Sequence, residues 1–279
     1  MMKSRSFKLV SISDDYVSYT VFNGETIFKE KTKNIITKNL IDFFSDEEKD
    51  KIMFFSSSIQ SNSVKERRTL AFTILFALYI ISFMCAIPLS QNKIILFSTV
   101  QPMGIFIFPL TFVFIDSINE IFGRNLAKSS VYSASLALII SAFFISTSYN
   151  LLDTGTTKGQ AFSVVLENLP KLLLINSLCV LVADSINNYL YSYLKSFFHG
   201  SFLTIRSGIS TIVGQSIYTV IWISLFYNKT LNINNMITYM FDNYLFKLIY
   251  GIAFCMPLTL ILVFILKKYI FNISLANQK

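Results

Sequence analysis

The chain has 279 residues, of which 53% are hydrophobic and only 14% charged, with a mean hydropathy of +0.55. So few polar side chains cannot cover the surface of a water-soluble domain, which excludes a purely soluble protein. The net charge of +8 does not point to nucleic acid either, because the bases sit at the ends of apolar runs and not on a patch interleaved with aromatics.

Charge is concentrated at the start. Ten of the sixteen acids and twelve of the twenty-four bases precede residue 69. This divides the chain into a polar head, 1–64, and an apolar remainder, 65–279. Within the head, residues 7–30 alternate in a strand-like way, and Tyr16 to Phe22 leads into Asn23-Gly24, a strong hairpin signal. Ser45-Asp46-Glu47-Glu48 has capping-box spacing and predicts a short helix over 46–55. The first sixty residues lack the short basic segment and apolar core of a cleavable signal peptide, so the first membrane helix is expected to direct insertion.

Crossing about 30 Å of hydrocarbon takes about 20 predominantly apolar residues. Six uncharged or nearly uncharged windows meet that length, at 69–90, 94–115, 129–151, 172–194, 207–227 and 248–266. Lys and Arg are retained on the cytoplasmic side of a membrane. With the N-terminus inside, the inner flanks collect Lys65, Arg67, Arg68, Arg124, Lys128, Lys195, Arg206, Lys267, Lys268 and Lys279. The outer loops then receive Lys93, Lys158, Lys171, Lys229 and Lys247. Ten against five predicts cytoplasmic termini and an outer loop over 153–171. Cys85, Cys179 and Cys255 lie in apolar runs without ligand spacing and read as small core residues, neither disulfides nor zinc ligands.

Ionisable groups inside a membrane segment are costly and usually face a cavity. Asp116 and Glu120, four apart at the end of the second window, project from one helical face, with Phe112 and Phe108 on the same stripe. Their plain alternative is a solvated helix end beside Arg124 and Lys128. Pro109 is expected to kink this helix. Asp184, Asn187, Asn188 and Tyr191 form a polar stripe in the fourth window. In the fifth, Arg206 shares a face with Ser210, and Thr211 shares the adjacent one with Gln215. Arg206 reads either as the partner of an acid across the bundle or as a headgroup anchor. Ser210, Gly214, Tyr218 and Trp222 read as a packing surface. Catalytic signatures are missing: His199 is the single histidine, and no HExxH, Walker-type loop, GxSxG elbow or paired-aspartate protease pattern occurs. We expect a non-enzyme with no cofactor, no metal and no ATPase activity of its own.

Phe108-Pro-Leu-Thr-Phe112, Asp116, Glu120, Phe122-Gly123-Arg124 and Ala127-Lys128 together resemble the signature of the queuosine precursor transporters, also called the vitamin uptake transporter family. Arg206, Ser210-Thr211 and Gln215 are similar in spacing to the family's fifth helix, and Asp184 to its fourth-helix aspartate. The resemblance spans 69–269. The chain departs from it at Tyr218, where the family usually has aspartate, and at Cys255-Met256-Pro257, where it has Asp-Thr-Pro. The head lies outside the common core.

The resemblance implies a six-helix fold similar to the substrate-binding components of energy-coupling-factor importers. It also implies import of 7-cyano-7-deazaguanine, 7-aminomethyl-7-deazaguanine or queuine for tRNA modification. The expected protein is thus an all-α integral membrane protein of the cell (inner) membrane, with six transmembrane helices and a small α+β cytoplasmic head. Its substrate-binding residues are expected to be Asp116, Glu120, Asp184, Arg206, Gln215, Phe112, Ser210 and Asn188. Its partners are the 7-deazaguanine and the lipid bilayer, with no nucleic acid; an external energising module or a homo-oligomer is left open. Alternatives are import of another vitamin or nucleobase, and a membrane scaffold or receptor acting through the head.

Overall fold

The computed structural model of the chain describes residues 7–13, 16–22, 24–56 and 62–271. In the head, β1 (Phe7–Ser13), β2 (Tyr16–Val21) and β3 (Phe28–Lys31) pair antiparallel in that order. The expected hairpin thus becomes a three-stranded sheet. Asn23 lies outside the described residues, but the Gly24 N–H donates to the Val21 carbonyl at 2.9 Å. Strand alternation turns Val17 and Tyr19 inward. There they meet Phe7, Ile35 of α1 (Thr32–Thr37), Leu40, Phe44, and Ile52 of α2 (Asp46–Ser56). The capping box is formed: Ser45 Oγ accepts from the Glu48 N–H at 3.3 Å, and Glu48 Oε2 accepts from the Ser45 N–H at 2.9 Å. The other carboxylate oxygen of Glu48 ties α2 to the sheet through the Leu9 N–H at 2.9 Å.

Among the described residues, six helical stretches are long and apolar enough to cross a membrane: Val64–Leu89, Met103–Phe122, Arg124–Asn150, Thr157–Phe197, Leu203–Tyr227 and Ile233–Phe271. The first lies in α3 (Asn62–Leu89). The second starts later than its hydropathy window because the β-branched run after Asn92 pairs instead as a hairpin, β4 (Lys93–Leu96) with β5 (Thr99–Pro102). A 3₁₀ turn, Met103–Phe106, then leads into α4 (Leu110–Phe122). Pro109 is the residue before the first turn of α4 and kinks nothing, since its missing N–H falls where no intrahelical bond is due. The shift carries Asp116 and Glu120 into the helix interior, both 1% exposed.

The third span is α5 (Arg124–Asn150). The expected outer loop 153–171 is instead largely helical: α6 (Thr157–Leu166) is capped by Thr156 Oγ1 accepting from the Gly159 N–H at 3.0 Å, and α7 (Leu169–Cys179) carries Pro170 in its first turn. A π-helical turn, Val180–Asp184, joins α7 to α8 (Ser185–Phe197). The fifth span is α9 (Leu203–Tyr227). The sixth combines α10 (Ile233–Tyr250), a second π-helical turn, Gly251–Cys255, and α11 (Met256–Phe271).

The bundle faces outward with apolar side chains such as Leu70, Ile74, Phe143, Phe144, Ile261 and Ile265, all exposed. In water that band would drive aggregation; in a bilayer it is the required solvent match. Cys179 and Cys255 are buried as expected, whereas Cys85 is exposed. Inside, small residues let helices approach closely: Ser135 of α5 and Ser177 of α7 share a hydrogen bond of 2.7 Å between their hydroxyls.

The head rests on the end of the bundle formed by the α4–α5 and α8–α9 turns. Gly123, at φ +91, makes the α4–α5 turn, and a Cβ there would collide with the Asp42 carboxylate and the Asn39 amide. His199 stands 4.1 Å from Phe28 and 6.5 Å from Phe7 between ring centres. Burial pushes the Asp42 carboxyl up from its ordinary range, against the pull of Lys49, Lys195 and Arg68. Burial also lowers the His199 imidazole.

Candidate functional site

Two polar centres lie along the inward face of α4, one turn apart. Nearer the head, Glu120 is gripped from three other helices. Its carboxylate accepts from Arg206 Nη1 of α9 at 2.9 Å, Lys267 Nζ of α11 at 2.8 Å and Tyr191 Oη of α8 at 3.0 Å, and Lys195 Nζ of α8 lies 3.3 Å away. Lys195 also donates to the Glu120 carbonyl at 2.8 Å, and Arg206 to the Gly200 carbonyl at 3.1 Å. Arg206 and Lys195 are buried; Lys267 is a quarter exposed. Three cations on one carboxylate make a clasp that holds four helices together at the head-side end.

One turn further in, Asp116 accepts from Asn187 Nδ2 at 2.9 Å, Ser207 Oγ at 2.5 Å and Thr211 Oγ1 at 3.3 Å. No cation is within ion-pair distance of it among the described residues. Neutral donors therefore satisfy this carboxylate.

Ser207 and Thr211 are also part of a cleft between α4, α9 and the sixth span, with about 410 Å³ of space free of protein atoms, part of it open to the surroundings. Phe112, Gln215, Lys247, Gly251 and Thr259 contribute to its wall. Gln215 is 2% exposed, and its Nε2 has no hydrogen-bond partner among the described residues. A buried amide with unused donors costs on the order of 1 to 3 kcal/mol unless something accepts from it. The second π-helical turn borders the cleft through Gly251, Ile252 and Cys255, and such turns recur where a helix is shaped for a ligand.

The structure therefore brings Phe112, Gln215 and, behind two hydroxyls, Asp116 to one cleft. Glu120 and Arg206 are joined to each other in the clasp. Ser210 is buried and donates to the Ser207 carbonyl at 3.2 Å. The expected polar stripe on the fourth span is shared among four partners: Asp184 accepts from Tyr79, Asn187 donates to Asp116, Asn188 accepts from Asn119, and Tyr191 donates to Glu120. Asp184 Oδ1 has no partner among the described residues. Tyr218 donates to Asn176 and lies 4.0 Å from Phe108 between ring centres.

Lys247 is the residue that sequence reasoning misplaced. Assigned to an outer loop, it is 5% exposed and stands on the cleft wall. The apolar window 248–266 began one residue too late to include it. Its signal was the four-residue spacing from Asn243, which puts both on one face of α10; Asn243 is buried and donates to Gln101 Oε1 at 2.9 Å. Lys195, read as a flanking anchor, is likewise interior.

A family model described as "Putative vitamin uptake transporter" matches residues 102–262, more than half of the chain. No curated protein and no solved structure matches the chain.

Proposed function

Because the chain belongs to the vitamin uptake transporter family, we propose that it imports a queuosine precursor, a 7-deazaguanine destined for tRNA modification, and holds it in the cleft beside Asp116. One observation carries this reading: Gln215, buried and with an unused amide, sits in the same cleft as Phe112 and the two hydroxyls that hold Asp116. A fused guanine-like ring presents a π-face, an oxygen that an amide can donate to, and N–H donors that a carboxylate can accept.

The decisive experiment uses a cell that lacks both precursor synthesis and its own importer. Expression of this protein should restore queuosine in tRNA when at least one of 7-cyano-7-deazaguanine, 7-aminomethyl-7-deazaguanine or queuine is supplied. Gln215→Leu should reduce initial uptake by about 5- to 20-fold, the loss of one hydrogen bond in a desolvated site. A membrane-inserted protein that restores queuosine with none of the three would refute the reading.

We also read both termini as cytoplasmic. Of the bases that support this, Lys195 and Arg206 are buried and Lys279 lies outside the described residues, while Lys247 drops out of the opposing set. The bias that remains comes from Lys65, Arg67, Arg68, Arg124, Lys128, Lys267 and Lys268 against Lys93, Lys158, Lys171 and Lys229. In a Cys85→Ser background, a cysteine at position 158 should react with an impermeant maleimide added outside intact cells. Reaction from the cytoplasmic side alone would invert the topology.

A further inference from the structure

Lys247 is the only acid or base, apart from the Cys255 thiol, among the residues that line the cleft. Its Nζ donates to Thr219 Oγ1 at 3.2 Å and lies 5.0 Å from the ring centre of Phe108 and 5.4 Å from that of Tyr218. Among the described residues no carboxylate comes within ion-pair distance of it. The three buried carboxylates are engaged elsewhere: Glu120 in the clasp, Asp116 with Asn187, Ser207 and Thr211, and Asp184 with Tyr79. A lysine head group carries up to three N–H donors, and one acceptor uses only part of that capacity.

Two consequences follow for an occupant of the cleft. An acceptor placed near Lys247 would satisfy donors that the protein leaves unused. An ammonium placed there would bring further donors, and no acceptor, to a site whose lining residues include no carboxylate, and a charge left unpaired in a low-dielectric setting is costly. The three candidate ligands differ in this respect. The nitrile of 7-cyano-7-deazaguanine is neutral and accepts a hydrogen bond. The side chains of 7-aminomethyl-7-deazaguanine and queuine are alkylamines, protonated at neutral pH as a free lysine is.

We propose that Lys247 makes the cleft selective for the neutral, acceptor-bearing 7-cyano-7-deazaguanine over the two ammonium-bearing bases. This rests on the assignment of the cleft to 7-deazaguanines. Lys247 acts as a specificity-determining group through its uncompensated N–H donors, its head group lying over the Phe108 and Tyr218 rings.

The test measures equilibrium binding of each of the three bases to the full-length protein in lipid nanodiscs at pH 7. Wild type should bind the cyano base about tenfold or more tightly than either amine. In Lys247→Met that ratio should fall to within about threefold, by weaker cyano binding together with admission of the amines. Where the methionine variant does not insert, Lys247→Gln keeps an N–H donor toward Thr219, removes the amine, and should lower the ratio in the same direction. An amine that binds wild type as tightly as the cyano base, or a ratio unchanged by the substitution, overturns the assignment of Lys247 and leaves the cleft as a base site. Folded wild type that binds none of the three bases shows a different failure, that of the 7-deazaguanine reading itself, and removes the selectivity with it.

Discussion

Glu120→Gln is expected to destabilise the protein by on the order of 3 to 5 kcal/mol, the typical penalty for deleting one partner of a buried ion pair. The substitution preserves shape, so what it removes is the charge that Arg206, Lys195 and Lys267 share. Arg206 and Lys195 would be left as buried cations without a counter-ion, and α4, α8, α9 and α11 would lose their common tie. Thermal unfolding in nanodiscs should show a fall of many degrees or little recoverable protein. Lys267→Met is the contrasting case. Lys267 is a quarter exposed and its removal lessens a surplus of positive charge, so the loss should stay under about 1 kcal/mol. Equal losses from the two substitutions would mean that Glu120 is not the centre of the clasp.

Asp116→Asn should act on the ligand more than on the fold. The amide keeps the volume but turns one acceptor oxygen into a donor that faces the Ser207 and Thr211 hydroxyls. These hydroxyls can rotate to accept instead, which spares the packing while closing off the acceptor that a bound base would use. Affinity for the best-bound 7-deazaguanine should fall by roughly 5- to 150-fold, equivalent to about 1 to 3 kcal/mol. Asp184→Asn should weaken binding far less, because Asp184 accepts from Tyr79, which does not line the cleft, whereas the hydroxyls that donate to Asp116 do. Titration of inserted, folded variants against wild type decides between them. Wild-type affinity in Asp116→Asn would show that its carboxylate serves structure only.

The six membrane-length apolar stretches were legible in the amino-acid pattern, because a bilayer imposes one strong and local demand. About 20 apolar residues in a row satisfy it whatever the neighbours are. The Ser45–Glu48 box was legible for a similar reason: both of its hydrogen bonds close within four residues. Hydropathy alone could not tell that the run after Asn92 makes a hairpin before its helix begins, since a short apolar run fits a strand or a helix equally well. That difference moved Asp116 and Glu120 from a candidate headgroup position into the interior.

The residues able to handle a polar ligand were also visible from the sequence, as rare ionisable and amide groups within apolar spans. Which of them meet was decided only by tertiary structure. Asp116 and Glu120 are one turn apart on one face, yet α8 and α9 offer the first an amide and two hydroxyls and the second a phenol and two of its three cations, the third coming from α11. Lys247 looked like a loop anchor because its own neighbours in the chain cannot reveal that Thr219 and Tyr218 of α9 and Phe108 of the turn before α4 lie around its head group. Local pattern determines where a helix lies in the membrane, because the solvent acts on each helix separately. The partner of a buried charge is a property of crossings between helices far apart in sequence, and only the assembled bundle specifies it.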